Sequence, residues 1–135
     1  MPTTQSPGKT ARPKKTAGRF RIKRVYEPAS EDDGVRVLVD RLWPRGIAKQ
    51  KARIDLWLRD LSPSDELRRM VHADPTKWDA FVKAYGRELK QEPARTALAD
   101  LRKLPRSGPV TLLYAARDEA RNNAVALQRW LERAK

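Results

Sequence analysis

The chain is expected to fold as a small layered α/β sandwich, with a mainly parallel sheet flanked by helices. Three observations carry that expectation. Short apolar runs at Val35–Asp40 and Val110–Ala115 read as buried strands. Long segments with helical spacing separate them, and parallel strands need such crossovers. The 135 residues suffice for one core without cross-links, and there is no cysteine to make any.

The elements follow in order. Residues 1–18 are rich in Pro, Thr, Lys and Gly, have little to bury, and are expected to be a disordered basic tail. Residues 19–135 are expected to form a single domain. In residues 19–26, Phe20 and Ile22 alternate with Arg and Lys, the pattern of a strand with one exposed face, suited to a sheet edge. Pro28 to Gly34 is an acidic turn. Val35–Asp40 is more continuously apolar and so more central.

Ile47 to Leu61 reads mostly as a short helix, because Ile54, Trp57, Leu58 and Leu61 fall at helical spacing. Ser64 is a natural N-cap for a helix from Asp65 to about Val71, with two acids in its first turn. Asp74-Pro75 opens the next helix, whose stripe of Trp78, Phe81, Val82, Tyr85 and Leu89 is the strongest helical signal present. Pro93 begins a further helix carrying Leu98, Leu101 and Leu104. Val110–Ala115 is the third strand, and Asp118–Ala134 the last helix, with Asp118 suited to cap it. Trp57, Trp78 and Trp130 are expected on the apolar faces of helices.

The net charge of +13 is uneven. Residues 1–24 hold eight basic residues and no acidic ones; the rest hold 22 basic and 17 acidic. Such a tail attracts phosphates without regard to sequence, or simply keeps the chain soluble. Nucleic acid is therefore one expected class of partner, acting through residues 1–24. No apolar run is long enough to span a membrane and no secretion signal is evident, so a cytoplasmic location and no membrane partner are expected. With one histidine and no cysteine, a zinc site is not expected. Glycine-rich dinucleotide loops, Walker loops and nucleophile elbows are all missing.

What stands out is Val39-Asp40-Arg41-Leu42-Trp43-Pro44-Arg45-Gly46, where an apolar strand runs into two arginines around a tryptophan. In parallel sheets, ligands bind beyond the carboxyl ends of the strands. The other such end is Tyr114-Ala115-Ala116-Arg117-Asp118. If the two strands are neighbours, both segments face one cleft. Arg41, Arg45 and Arg117 would then bind phosphate or carboxylate through forked hydrogen bonds, or pair with Asp40 or Asp118. Trp43 would wall the pocket or stack on an arginine. Asp40 is a candidate general base or an orienting group, and His72 a candidate base or a loop-pinning group. Tyr114 ends its strand and needs a hydroxyl partner. Asn122 and Asn123 are poor helix formers with a reason to be found: one facing the cleft, the other holding a loop.

The ordered set of Val39-Asp40-Arg41-Leu42-Trp43-Pro44-Arg45-Gly46, Trp57-Leu58, Pro63-Ser64, Glu66-Leu67-Arg68, His72, Asp74-Pro75, Trp78, Tyr85, Thr111 to Asp118 and Asn122-Asn123-Ala124 resembles the YeaO-like branch of the bacterial domain of unknown function 488. The resemblance runs from about Ile22 to Leu131. It implies a compact cytoplasmic α/β domain without an established activity. Some relatives carry the label uroporphyrin-III C-methyltransferase. Those methyltransferases are much larger and two-lobed, with glycine-rich cofactor loops missing here, so that activity is not expected. The family usually places His and Asp side by side before the proline, whereas Ala73 separates His72 from Asp74 here.

Together these readings give a domain that binds a small anionic ligand, such as a phosphorylated metabolite or nucleotide. The alternatives are a nucleic-acid-associated protein, an enzyme of unspecified reaction using Asp40 or His72, and a protein-interaction module. Cofactor and oligomeric state stay open at this level.

Overall fold

The computed structural model describes residues 19–133. The expected tail, residues 1–18, lies outside them. Four strands form one all-parallel sheet: β1 (Phe20–Arg24), β2 (Val35–Leu38), β3 (Leu56–Trp57) and β4 (Val110–Tyr114), in the order β1-β4-β2-β3. The helices are α1 (Lys49–Ala52), α2 (Asp65–Ala73), α3 (Trp78–Leu89), α4 (Ala94–Arg102) and α5 (Asn123–Arg133). The α/β sandwich is thus the observed fold. The strand at residues 19–26 is an edge, and the two apolar strands are the inner neighbours.

Strand alternation sorts the side chains into two clusters. Phe20, Val37, Val39, Val110, Leu112 and Tyr114 join Phe81, Tyr85, Leu89, Leu101, Leu127 and Leu131 in the main core, under α3, α4 and α5. Leu38, Leu113 and Val25 face the other way. They are covered by Trp43, Ile47, Ile54 and Trp57 from the segment after β2. One face therefore carries the longer helices and the other a thin cover of loop and short helix.

Three expectations need correction. Ile47–Leu61 is not one helix: it divides into α1, β3 and a 3-10 turn at Arg59–Leu61. β2 captures the middle of it, through Asp55 N–H to Arg36 O (2.8 Å) and Leu58 N–H to Leu38 O (3.0 Å). Trp57 accordingly sits on a strand, with its indole N–H donated to Asp40 O (2.8 Å). The last helix begins at Asn123 rather than Asp118. Asp118 instead closes its own turn, accepting from Ala120 N–H and Arg121 N–H (both 2.9 Å). Asn122 caps α5, its side-chain oxygen accepting from Val125 N–H at 2.9 Å. Elsewhere the local signals hold: Ser64 caps α2, and Asp74 caps the turn that leads into α3.

At the amino end of the sheet, Arg36 is only 4% exposed and every part of its guanidinium is engaged. It donates to Arg53 O (2.8 Å), Ala52 O (3.0 Å) and Asp33. Asp33 also accepts from Lys23 and from Ser30 N–H. Burial opposes the Asp33 charge, but these hydrogen bonds outweigh it and hold the carboxyl below its ordinary pKa.

Candidate functional site

At the carboxyl end of the sheet, the ladder between β2 and β4 is pried open by side chains. Its last backbone rung runs from Val39 N–H to Leu113 O at 3.2 Å. In a continuing parallel ladder, Ala115 N–H would next donate to Val39 O. Instead the Asp40 carboxylate accepts from Ala115 N–H (2.9 Å), and the Asn123 amide donates to Val39 O (3.0 Å). The same amide donates to the other Asp40 oxygen at 3.1 Å. Both backbone groups are satisfied, yet the strands part. The chain then leaves β2 toward β3 but leaves β4 into α5, which packs over β4 and β1. This divergence is the switch point where open parallel sheets form crevices.

The resulting cleft has a volume of about 640 Å³. Nine of the ten residues singled out in the sequence line it: Asp40, Arg41, Trp43, Arg45, His72, Arg117, Asp118, Asn122 and Asn123. Tyr114 does not. It falls in phase with Val110 and Leu112, points into the main core and is 3% exposed. The pairing of β2 with β4 is what brings the two strand ends together.

The arginines differ in how they are held. Arg41 and Arg68 share the Asp65 carboxylate, at 3.2 and 3.0 Å. Arg45, Arg117 and Arg121 are exposed and form no ion pair among the described residues. Asp118 lies beside Arg117 in sequence but is engaged with its own turn, and the N–H groups of Arg121 and Ala120 keep its pKa below the ordinary value. Five guanidiniums thus face a cleft lined by two carboxylates, Asp40 and Asp118. Such an excess favours anions.

Asp40 is half-buried, and burial pushes its carboxyl above its ordinary pKa, against the Asn123 and Ala115 hydrogen bonds and the nearby Arg68 charge. His72 is exposed in the last turn of α2, at the cleft wall. Trp43 lines the cleft without stacking on Arg41 or Arg45. Its ring meets Trp57 edge-on at 5.5 Å, and its N–H goes to Ile47 O at 2.7 Å. Asn122 is 6% exposed and both ends of its amide are engaged, since its NH₂ also donates to Asp118 O at 2.9 Å. Of the asparagine pair, one caps a helix and the other clamps Asp40. Among the described residues, no three His, Asp or Glu side chains gather as metal ligands, and no helix is long and apolar enough to cross a membrane.

Arg68, Arg121, Tyr26 and Phe81 join the lining without having been expected there as site residues. Arg68 lies three residues after Asp65, a spacing that reads as an ordinary surface pair. Arg121 lay inside the expected helix. Tyr26 is 43% exposed, carries the Arg24 guanidinium over its ring at 4.9 Å, and donates its hydroxyl to Arg45 O at 3.0 Å.

The basic residues of the first strand are largely engaged within the fold. Arg19 donates to Leu104 O and Pro105 O, Arg21 to Asp32 O, Lys23 to Asp33, and Arg24 to Ala115 O and Ala116 O. Half of the eight basic residues in 1–24 thus hold the domain together, and Arg24 props the Ala115–Ala116 wall of the cleft.

Comparison with known proteins agrees with the motif set. The family described as "Inactive DUF488-N3 subclade" matches residues 19–135. The Escherichia coli protein named "Uncharacterized protein YeaO" is 44% identical over 113 residues, covering 83% of this chain and 96% of its own. "Uncharacterized protein Rv3073c" of Mycobacterium tuberculosis is 45% identical over 113 residues, covering 84% and 93%. No solved structure matches the chain. The chain belongs to the YeaO-like DUF488 family, within the subclade described as inactive.

Proposed function

We propose that this chain is a binding domain for a small phosphorylated anion, held in the cleft at the carboxyl ends of β2 and β4. The observation that carries the reading is the set of Arg45, Arg117 and Arg121, exposed, unpaired among the described residues and facing one cleft. Guanidiniums present forked donors that match phosphate oxygens. Arg41 and Arg68, tethered to Asp65, supply further positive potential without leaving their places.

Binding without turnover fits the residues better than catalysis. Each oxygen of Asp40 already accepts one hydrogen bond that keeps the strand ends apart. The family's own description, inactive, points the same way. The test is a thermal-stability screen of the full chain against phosphorylated metabolites and nucleotides, repeated in Arg45→Ala. A stabilising compound whose effect is lost in a folded Arg45→Ala supports the reading. Unfolding of that variant makes Arg45 structural and removes it from the site.

A nucleic-acid reading draws on Lys9, Arg12, Lys14 and Lys15, four cations without a neighbouring acid in the first 18 residues. It predicts oligonucleotide affinity that falls steeply with salt and is abolished by replacing those four residues with alanine. Undetectable binding at low salt ends it.

A further inference from the structure

We propose that the ligand is two-ended: a nucleoside phosphate, its phosphate on Arg45, Arg117 and Arg121 at the cleft mouth and its base turned inward to donate N–H groups to Asp40. This rests on the anion-site reading and adds to it the class and the direction of the ligand.

The Asp40 carboxylate, held in the cleft lining by its structural hydrogen bonds, offers an anion no anchor. Asp40 forms no ion pair with any cleft arginine. It repels an anion from the inner end and so confines the phosphate to the exposed arginines. The inner end must then receive a neutral group. An ionised carboxylate has about four lone-pair sites. Two are filled, by Ala115 N–H and Asn123 Nδ2. The remainder accept from N–H or O–H donors on a ligand.

Arg68 adds a donor without a partner. Its Nη2 is fixed on Asp65, while its Nε–H is buried and has no acceptor. Buried donors are rarely left without a partner. Arg68 and Asp40 line the same cleft, so a small turn of the Arg68 side chain would bring its unused donor out beside the unused acceptor sites of Asp40. That pairing matches the edge of a heterocycle that carries N–H next to an acceptor.

The cleft, at about 640 Å³, offers far more room than a phosphate ion fills and falls within the range of small-molecule sites. Val71, Phe81, Pro44 and Pro63 give it apolar walls. Such walls suit a flat ring better than a sugar bearing hydroxyls on every side.

The experiment is calorimetric titration of the full chain with the four common nucleoside 5′-monophosphates, ribose 5-phosphate and inorganic phosphate. Wild type is compared with Asp40→Asn, Arg68→Ala and the double variant Arg117→Ala, Arg121→Ala. At least one nucleotide is expected to bind about tenfold tighter than ribose 5-phosphate and inorganic phosphate, the size of one well-made polar anchor. Asp40→Asn is expected to shrink that margin without weakening inorganic phosphate, Arg68→Ala to shrink it while its lost charge also weakens every phosphate, and the arginine pair to weaken every phosphate and leave the margin. The basic N-terminal residues act on all phosphates alike and do not create a margin. Equal binding of nucleotides, ribose 5-phosphate and phosphate in wild type overturns the two-ended ligand and leaves the anion site standing. Absence of binding by all of them overturns both. If Asp40→Asn does not fold, the wild-type margin and Arg68→Ala decide.

Discussion

Arginines occur at both ends of this sheet, and the two ends treat them differently. At the amino end, Arg36 is buried, and its guanidinium is saturated by two carbonyls and Asp33. At the carboxyl end, Arg45, Arg117 and Arg121 stand exposed around a cleft and form no ion pair among the described residues. The residue type is the same, and only the accounting of hydrogen-bond partners separates a structural cation from a candidate ligand group. Removing a saturated cation should damage the fold. Removing an unsaturated one should damage only what it binds.

The largest effect should come from the saturated end. Arg36→Ala strips a buried pair of one partner and should lower the unfolding free energy by about 3 kcal/mol or more, measured by urea denaturation. A change near zero would erase the contrast. Next is the ligand itself: a compound at about 100 times its dissociation constant should stabilise wild type by about 2.7 kcal/mol. Asn122→Ala removes the cap of α5 and should cost about 1 kcal/mol, read in the same denaturation curves. The smallest effect belongs to the unsaturated end, where the double variant Arg117→Ala, Arg121→Ala should stay within about 0.5 kcal/mol of wild type in the absence of ligand.

The two ends should also part company in acid. Asp33 has a folded pKa below its ordinary value, so its stabilising contribution is full above the unfolded value, about 3.9, and is lost as pH falls through the lower folded value. Asp40 has a folded pKa above its ordinary value, so its ionisation weakens the fold, and lowering pH through that value removes the penalty. Carboxyl-carbon NMR titration should place Asp40 above and Asp33 below the ordinary aspartate value. The reverse order would contradict the contrast between the two ends.

The parts of this fold that were legible in the sequence are those decided locally. Val35–Asp40 and Val110–Ala115 announce themselves as inner strands because both their faces are covered. Ser64 and the Trp78–Leu89 stripe do the same for helices. β3 was hidden because Ile54, Trp57, Leu58 and Leu61 also satisfy a helical period. Only the distant partner β2, through Arg36 O and Leu38 O, decides for a strand. Asp118 resembled a helix cap because it caps a turn, four residues before the true cap, Asn122. The core orientation of Tyr114 was available from the period-two alternation through Val110 and Leu112. The cleft was legible because its residues cluster at two strand ends. Arg68 was not, because a helix from elsewhere delivers it.

The most direct test of the central claim is thermal unfolding of the full chain with a panel of phosphorylated compounds, in wild type and in the triple variant Arg45→Ala, Arg117→Ala, Arg121→Ala. At least one compound is expected to raise the wild-type midpoint and leave the folded variant unmoved. Equal shifts in both proteins, or no shift in wild type, would contradict it.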